Sequence, residues 1–177
     1  MELCRFSFEK TIIMLAATLH SKFLQAPQLE NSVWYNGHTF SFLINADQSN
    51  SEFALIHCYF RKGGEPPAHF HRNESETFYI LEGEISFHIG EQKFIAKTGN
   101  VAFAPKEVPH RFSLITNTAK ALLLITPPGI EAFFKEFGMP ASSLDLPPIP
   151  EGEPPAAFIQ KMMSRAEELG TVWMPEF

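Results

Sequence analysis

Apolar, β-prone residues run along this chain in short stretches, each broken by a turn, and the pattern predicts strands from about residue 33 onward. Residues 33–44 and 53–61 are the first two stretches, separated by the turn-rich segment 45–51. The loop Lys62-Gly63-Gly64-Glu65-Pro66-Pro67 follows. Its two prolines cannot sit in a central strand, so they mark the entrance to a short strand, His69-Phe70-His71. Residues 77–81, 84–89 and 92–96 read as further strands with Gly83 and Gly90-Glu91 at the turns, and 100–104, 111–115 and 119–126 complete the series. Short strands at such close spacing predict an all-β protein, an antiparallel double-sheet jelly-roll barrel. No internal repeat is visible, so one barrel is expected.

After Pro128 the character changes. Residues 130–137 predict a helix with Glu131, Lys135 and Glu136 on its wet side and Gly138 as its stop. Segment 146–155 carries five prolines and reads as extended. Residues 156–169 predict a second helix, opened by Pro155 and closed by Gly170, with Phe158, Met162 and Leu169 as an apolar stripe. The expected organisation is an N-terminal extension over 1–30, a barrel over 31–128, and a helical, proline-rich C-terminal tail over 129–177 packed on the barrel wall.

Composition narrows the function. A chain of 177 residues, 45% hydrophobic and 19% charged, is one folded domain with room for a core. Eighteen phenylalanines point to an aromatic interior, an apolar pocket, or both. With a formal net charge of −6 and no basic stripe, nucleic acid is not an expected partner, and no basic patch exists to meet an anionic membrane. No apolar run is long enough to cross a bilayer. Cys4 and Cys58 lie far apart and read as free thiols in a reducing compartment. The apolar stretch 11–17 is short for a leader, and Glu2, Arg5, Glu9 and Lys10 before it cancel, so a cytoplasmic protein is expected.

The chemistry concentrates between residues 69 and 110. Side chains two apart on a strand share a face, so His69 and His71 project together. Glu76 can return to the same pocket beyond a short turn, and His110 stands one hairpin later. Three imidazoles and one carboxylate suit one divalent first-row metal (iron, manganese, nickel, copper and zinc all accept such ligands) and leave positions free for water, dioxygen or substrate. Glu74 shares parity with Glu76 but reads as an exposed turn residue. His20, His38, His57 and His88 read as surface or core histidines. Arg72 lies in the turn after His71, and Arg111 should turn away from the pocket because it directly follows His110.

These residues resemble the two sequence motifs of the cupin superfamily. The first is matched in full: Gly63, five residues, His69-x-His71, four residues, Glu76, six residues, Gly83. The second is matched at Gly99, Pro105 and His110, but Glu107 stands where the family has glycine and Leu114 where it has asparagine. Glu at that position puts the turn 105–109 in question, since a side chain tolerates positive φ poorly. The runs 76–84 and 126–134 look most like the quercetin 2,3-dioxygenase-like branch, and the resemblance covers about residues 33 to 138.

The resemblance implies that His69, His71, Glu76 and His110 hold the metal, that Glu76 also serves as a base toward a substrate hydroxyl, and that the protein is a homodimer. It implies a dioxygenase acting on a small apolar or aromatic substrate that bears an enol or hydroxyl. Phe78 and Ile80 share parity with Glu76 and Phe112 with His110, which makes them candidate pocket walls; Phe103 joins them by analogy. Cupins also include isomerases, decarboxylases and non-catalytic binding modules, so a metal-dependent isomerase or decarboxylase and a small-ligand-binding barrel stand as alternatives. The resemblance begins well after both Met1 and Met14, and either serves as the start.

Overall fold

The structure is a computed structural model that describes residues 23–149, 152 and 154–177. Most of the expected N-terminal extension, with the stretch 11–17, Cys4 and His20, lies outside the described residues. After a 3-10 turn at Leu29–Asn31 come ten strands: β1 (Ser32–Tyr35), β2 (His38–Ile44), β3 (Ala54–Arg61), β4 (His69–His71), β5 (Ser75–Glu82), β6 (Glu84–Ile89), β7 (Gln92–Lys97), β8 (Val101–Ala104), β9 (His110–Leu114) and β10 (Thr118–Thr126). Helix α1 (Glu131–Phe137), strand β11 (Met139–Pro140), helix α2 (Ala156–Glu168) and strand β12 (Thr171–Trp173) follow.

The strands form two antiparallel sheets, ordered β11-β1-β2-β3-β10-β5-β8 and β12-β4-β9-β6-β7. This is the expected double-sheet jelly roll. Alternation builds the core: along β3, Ala54, Ile56, Cys58 and Phe60 are buried while the residues between them are half-buried. Ile80 and Ile85 from β5 and β6 are fully buried, so the two sheets meet through interdigitated apolar faces. Each such side chain contributes roughly 1.5–3 kcal/mol by leaving water. Burial also pushes the Cys58 thiol well above its ordinary range, and Cys58 is free as expected.

The single strand expected over 33–44 is two strands. Asn36 and Gly37 both take positive φ, 47° and 82°, which is the geometry of a two-residue hairpin turn. Glu107, at the family's glycine position, keeps the turn despite its side chain, at φ 64°. Its backbone N–H donates to the His71 carbonyl at 2.7 Å, so the strained turn is tied to the His-x-His strand. Leu114, where the family has asparagine, is buried in the core, and its N–H donates to the Glu65 carboxylate at 2.8 Å.

The tail does more than pack on the wall. β11 pairs with β1 and β12 with β4, so the tail extends both sheets. Just ahead of β11, α1 buries Phe133 against Tyr35, at 5.6 Å between ring centroids. Of the stripe expected on α2, Met162 and Leu169 pack on the core while Phe158 stays 42% exposed. Glu131 is not on the wet side of α1. It is buried and folds back so that its carboxylate accepts from the Gly129 N–H at 2.6 Å, satisfying a donor at the helix start. Among the described residues no helix is long and apolar enough to cross a membrane.

Candidate metal centre

Three of the four candidate ligands come from one sheet and the fourth from the other. His69 and His71 stand on β4, and His110, the first residue of β9, is the cross-strand partner of His69. Glu76, on β5, faces them from the seven-stranded sheet, between Ala104 of β8 and Ile125 of β10. All four are buried, and one ligand atom from each lies within 4.8 Å of the others. Ring centroids are 4.8 Å apart for His69–His71, 4.6 Å for His69–His110 and 5.5 Å for His71–His110.

Hydrogen bonds at the far side of the His69 and His110 rings settle which of their nitrogens faces the cluster. His69 Nδ1 donates to the Pro67 carbonyl at 2.7 Å and His110 Nδ1 to the Val108 carbonyl at 2.9 Å. A carbonyl only accepts, so both rings carry the proton on Nδ1 and keep the Nε2 lone pair for the cluster. His71 Nδ1 meets the Glu74 carboxylate and the Thr171 hydroxyl instead, each at 3.3 Å. On the other edge, His71 Nε2 and His110 Nε2 are buried without a hydrogen-bond partner, facing Glu76 Oε2 at 3.7 and 3.3 Å. Buried nitrogen left unsatisfied beside an acidic oxygen is the state a cation would resolve, so the donor set fits a divalent metal.

The electrostatics agree. Burial works to raise the Glu76 carboxyl, but His71, His110 and His69 outweigh it and hold the group at about 2, so it is ionised. Burial, reinforced by His110 and His71, lowers His69 to about 4, and burial lowers His71 as well; both are neutral and ready to ligate at pH 7. His110 goes the other way: burial lowers it, but the Glu76 carboxylate 3.3 Å away raises it overall.

Three features of the site escaped the sequence reading. Glu74 is not an exposed turn residue; it is 2% exposed, and burial, then the charges of Glu76 and Glu131, push its carboxyl up to about 7. The parity it shares with Glu76 was the signal that it turns inward. Thr171 and Trp173 reach the site from β12, where Trp173 sits 5.7 Å from the His69 ring. The triplet Thr171-Val172-Trp173 is β-branched and aromatic, which is the composition of a strand.

The candidate pocket residues separate. Phe103 points outward and is 55% exposed, because β8 alternates and Ala104 takes the inward place opposite Glu76. Ile80 is fully buried, which leaves it no surface for a ligand, and Phe78 is nearly so. Phe112 shares the inward face with His110 yet stays half-buried, 5.3 Å from Phe60 and 5.7 Å from Phe78 between ring centroids. Arg72 and Arg111 are exposed, and His88 stacks on Phe177 at 4.1 Å.

Two antiparallel sheets closing over a His-x-His, glutamate and histidine cluster define a jelly roll with a cluster that could hold a metal. The comparisons place it further. Residues 56–126 match the family model described as a cupin domain. The chain is 27% identical over 128 residues to quercetin 2,3-dioxygenase from Bacillus subtilis (strain 168), an alignment covering 71% of this chain and 37% of that protein. It is 30% identical over 66 residues to an uncharacterised protein of Methanocaldococcus jannaschii, covering 37% of this chain and 53% of that one. The chain therefore spans between a third and a little over half of the curated relatives it matches. Among solved structures, an RmlC-like cupin from Shewanella frigidimarina superposes with a TM-score of 0.51 at 21% identity, covering 61% of this chain and 94% of that one. The family model over residues 56–126, the Bacillus relative and the solved structure together support a cupin superfamily protein.

Proposed function

We propose that the cluster binds one divalent first-row metal and that the protein is a dioxygenase acting on a small apolar or aromatic substrate bearing an enol or hydroxyl. The observation that carries this is the convergence of Nε2 atoms, two of them buried and unpartnered, on an ionised carboxylate inside a buried cluster. The likeness to a quercetin 2,3-dioxygenase over 71% of the chain supports the reaction class.

When bound, the metal supplies about one net positive charge beside Glu76, able to polarise a substrate oxygen and to engage dioxygen. His69, His71 and His110 hold their lone pairs toward one point because each Nδ1 is engaged elsewhere. Glu76, kept ionised, can accept the substrate's hydroxyl proton. Its low proton affinity suits a hydroxyl already acidified in the site. Phe112, inward yet half-buried, is the wall a flat apolar substrate would meet. An apolar outer face at Tyr79, Val101 and Phe103, contiguous across β5 and β8, supports a homodimer.

The test is oxygen uptake by metal-loaded protein across a panel of polyphenols and enols. Substrate-dependent uptake that vanishes in His69→Ala and His110→Ala is expected. Uptake of equal size in both variants, or full turnover of a substrate without oxygen, would remove the dioxygenase reading.

A further inference from the structure

We propose that the C-terminal strand β12 is a working part of the metal centre, with Thr171 and Glu74 acting as positioning residues for His71. This rests on the cluster's binding a metal, and not on which reaction follows.

The three ligand histidines are oriented by two different devices. His69 and His110 are each held by the carbonyl two residues upstream, Pro67 and Val108, so their orientation is built into their own strands. His71 has Glu74 Oε1 and Thr171 Oγ1 at its Nδ1, each at 3.3 Å. Its ring is therefore set by two side chains, one of them a hundred residues away in the tail. Both are buried, at 2% and 3% exposure, so water does not substitute for them readily. With these two oxygens against Nδ1, the Nε2 edge of the ring is the one left to face the cluster.

The backbone makes the same connection. β4 is three residues long and meets β9 through the single pair His69↔His110. Against β12 it has three pairs, Thr171↔His71, Val172↔Phe70 and Trp173↔His69. The pairing is extended at both ends by Arg72 N–H to the Gly170 carbonyl at 2.9 Å and Met174 N–H to the Ala68 carbonyl at 2.8 Å. Asn73 donates to the Leu169 carbonyl at 3.1 Å, and Gly170, at φ 104°, admits that contact because a Cβ there would stand 2.5 Å from Asn73 Nδ2. The register that presents His69 and His71 on one face is thus set more by the tail than by the barrel, and in that register Thr171 and Trp173 fall on the ligand face.

The experiment measures Co²⁺ affinity of the full chain by chelator competition, with the visible spectrum of bound Co²⁺ and apo-protein thermal melts alongside. Thr171→Val keeps the shape and removes the hydroxyl; Thr171→Ser keeps the hydroxyl; Glu74→Gln keeps the size and removes the charge. Expected are a loss of affinity of about tenfold or more in Thr171→Val and Glu74→Gln, a shifted Co²⁺ spectrum, near-wild-type affinity in Thr171→Ser, and apo melts that stay cooperative. In a Trp34→Phe background, Cu²⁺ should quench most of the remaining Trp173 emission. Unchanged affinity and spectrum in both Thr171→Val and Glu74→Gln, with wild type binding Co²⁺, would overturn the positioning roles alone. Failure of the wild type to bind Co²⁺, Zn²⁺ or Cu²⁺ would remove the metal reading and this inference together.

Discussion

Replacing Glu76 with glutamine should weaken the metal-free protein as well as its hold on metal, which separates electrostatic anchoring from ligation. Glu76 is buried among three imidazoles that hold its carboxyl at about 2, against an ordinary 4.5. At roughly 1.4 kcal/mol for each tenfold change in proton affinity, that gap amounts to about 3 kcal/mol of stability at neutral pH. The sign follows from the depressed value: the contribution is complete above 4.5 and disappears as pH falls toward 2. Glu76→Gln, which mimics the neutral acid, should therefore lose about 3 kcal/mol at pH 7, lowering the melting temperature by roughly 6–12 °C for a chain of this size. Its deficit against wild type should shrink as both are acidified. Urea unfolding of chelator-treated protein across pH 7 to 3 reads both quantities. A glutamine variant as stable as wild type at pH 7, or a deficit that does not change with pH, would refute the reasoning. It would mean that the histidines do not compensate the buried carboxylate.

Three further outcomes are expected. Glu76 raises the proton affinity of His110, so in the metal-free protein a proton occupies the ligand nitrogen to higher pH than in an ordinary histidine. Zn²⁺ affinity should then rise about tenfold per pH unit up to that raised value, past the ordinary 6.5, and level off beyond it, and chelator competition between pH 5.5 and 8 would show it. Glu107→Gly should stabilise by roughly 0.5–1 kcal/mol, because relief of the left-handed strain exceeds the added flexibility of glycine; a destabilised variant in urea would assign the Glu107 side chain an interaction of its own. On the proposed homodimer, Phe103→Glu, on the outer face of β8, should shift size-exclusion light scattering from dimer to monomer without changing metal content, and an unchanged mass would dismiss that face as the interface.

The barrel was legible because its signals are local. Strand length, alternation and turn residues act over fewer than ten residues, so the strands from β3 to β10 fall close to where their patterns place them. The errors have local causes too. The Asn36-Gly37 pair carries the strongest short hairpin signal in the chain, yet it lies within an apolar run that reads as one strand. Glu131 satisfies a donor at the start of its own helix, and helical periodicity alone cannot foresee that a charged residue will fold inward to do so.

The site divides along the same line. His69, His71, Glu76 and His110 are readable because strand parity and motif spacing bring them together through neighbouring hairpins. What orients His71 was not readable, since Thr171 arrives from an edge strand one hundred residues on, and edge pairing leaves little trace beyond a β-prone triplet. Glu74 was misjudged for a related reason. A glutamate on the ligand face would ordinarily be expelled by its neighbour Glu76; it stays because burial and the charges of Glu76 and Glu131 raise its carboxyl to about 7, which lightens the charge it carries. A buried carboxylate beside a second one is tolerated where positive charge is within reach. The pair Glu74 and Glu76, on opposite sides of the His71 ring, sets two buried carboxyls where a cation would offset them.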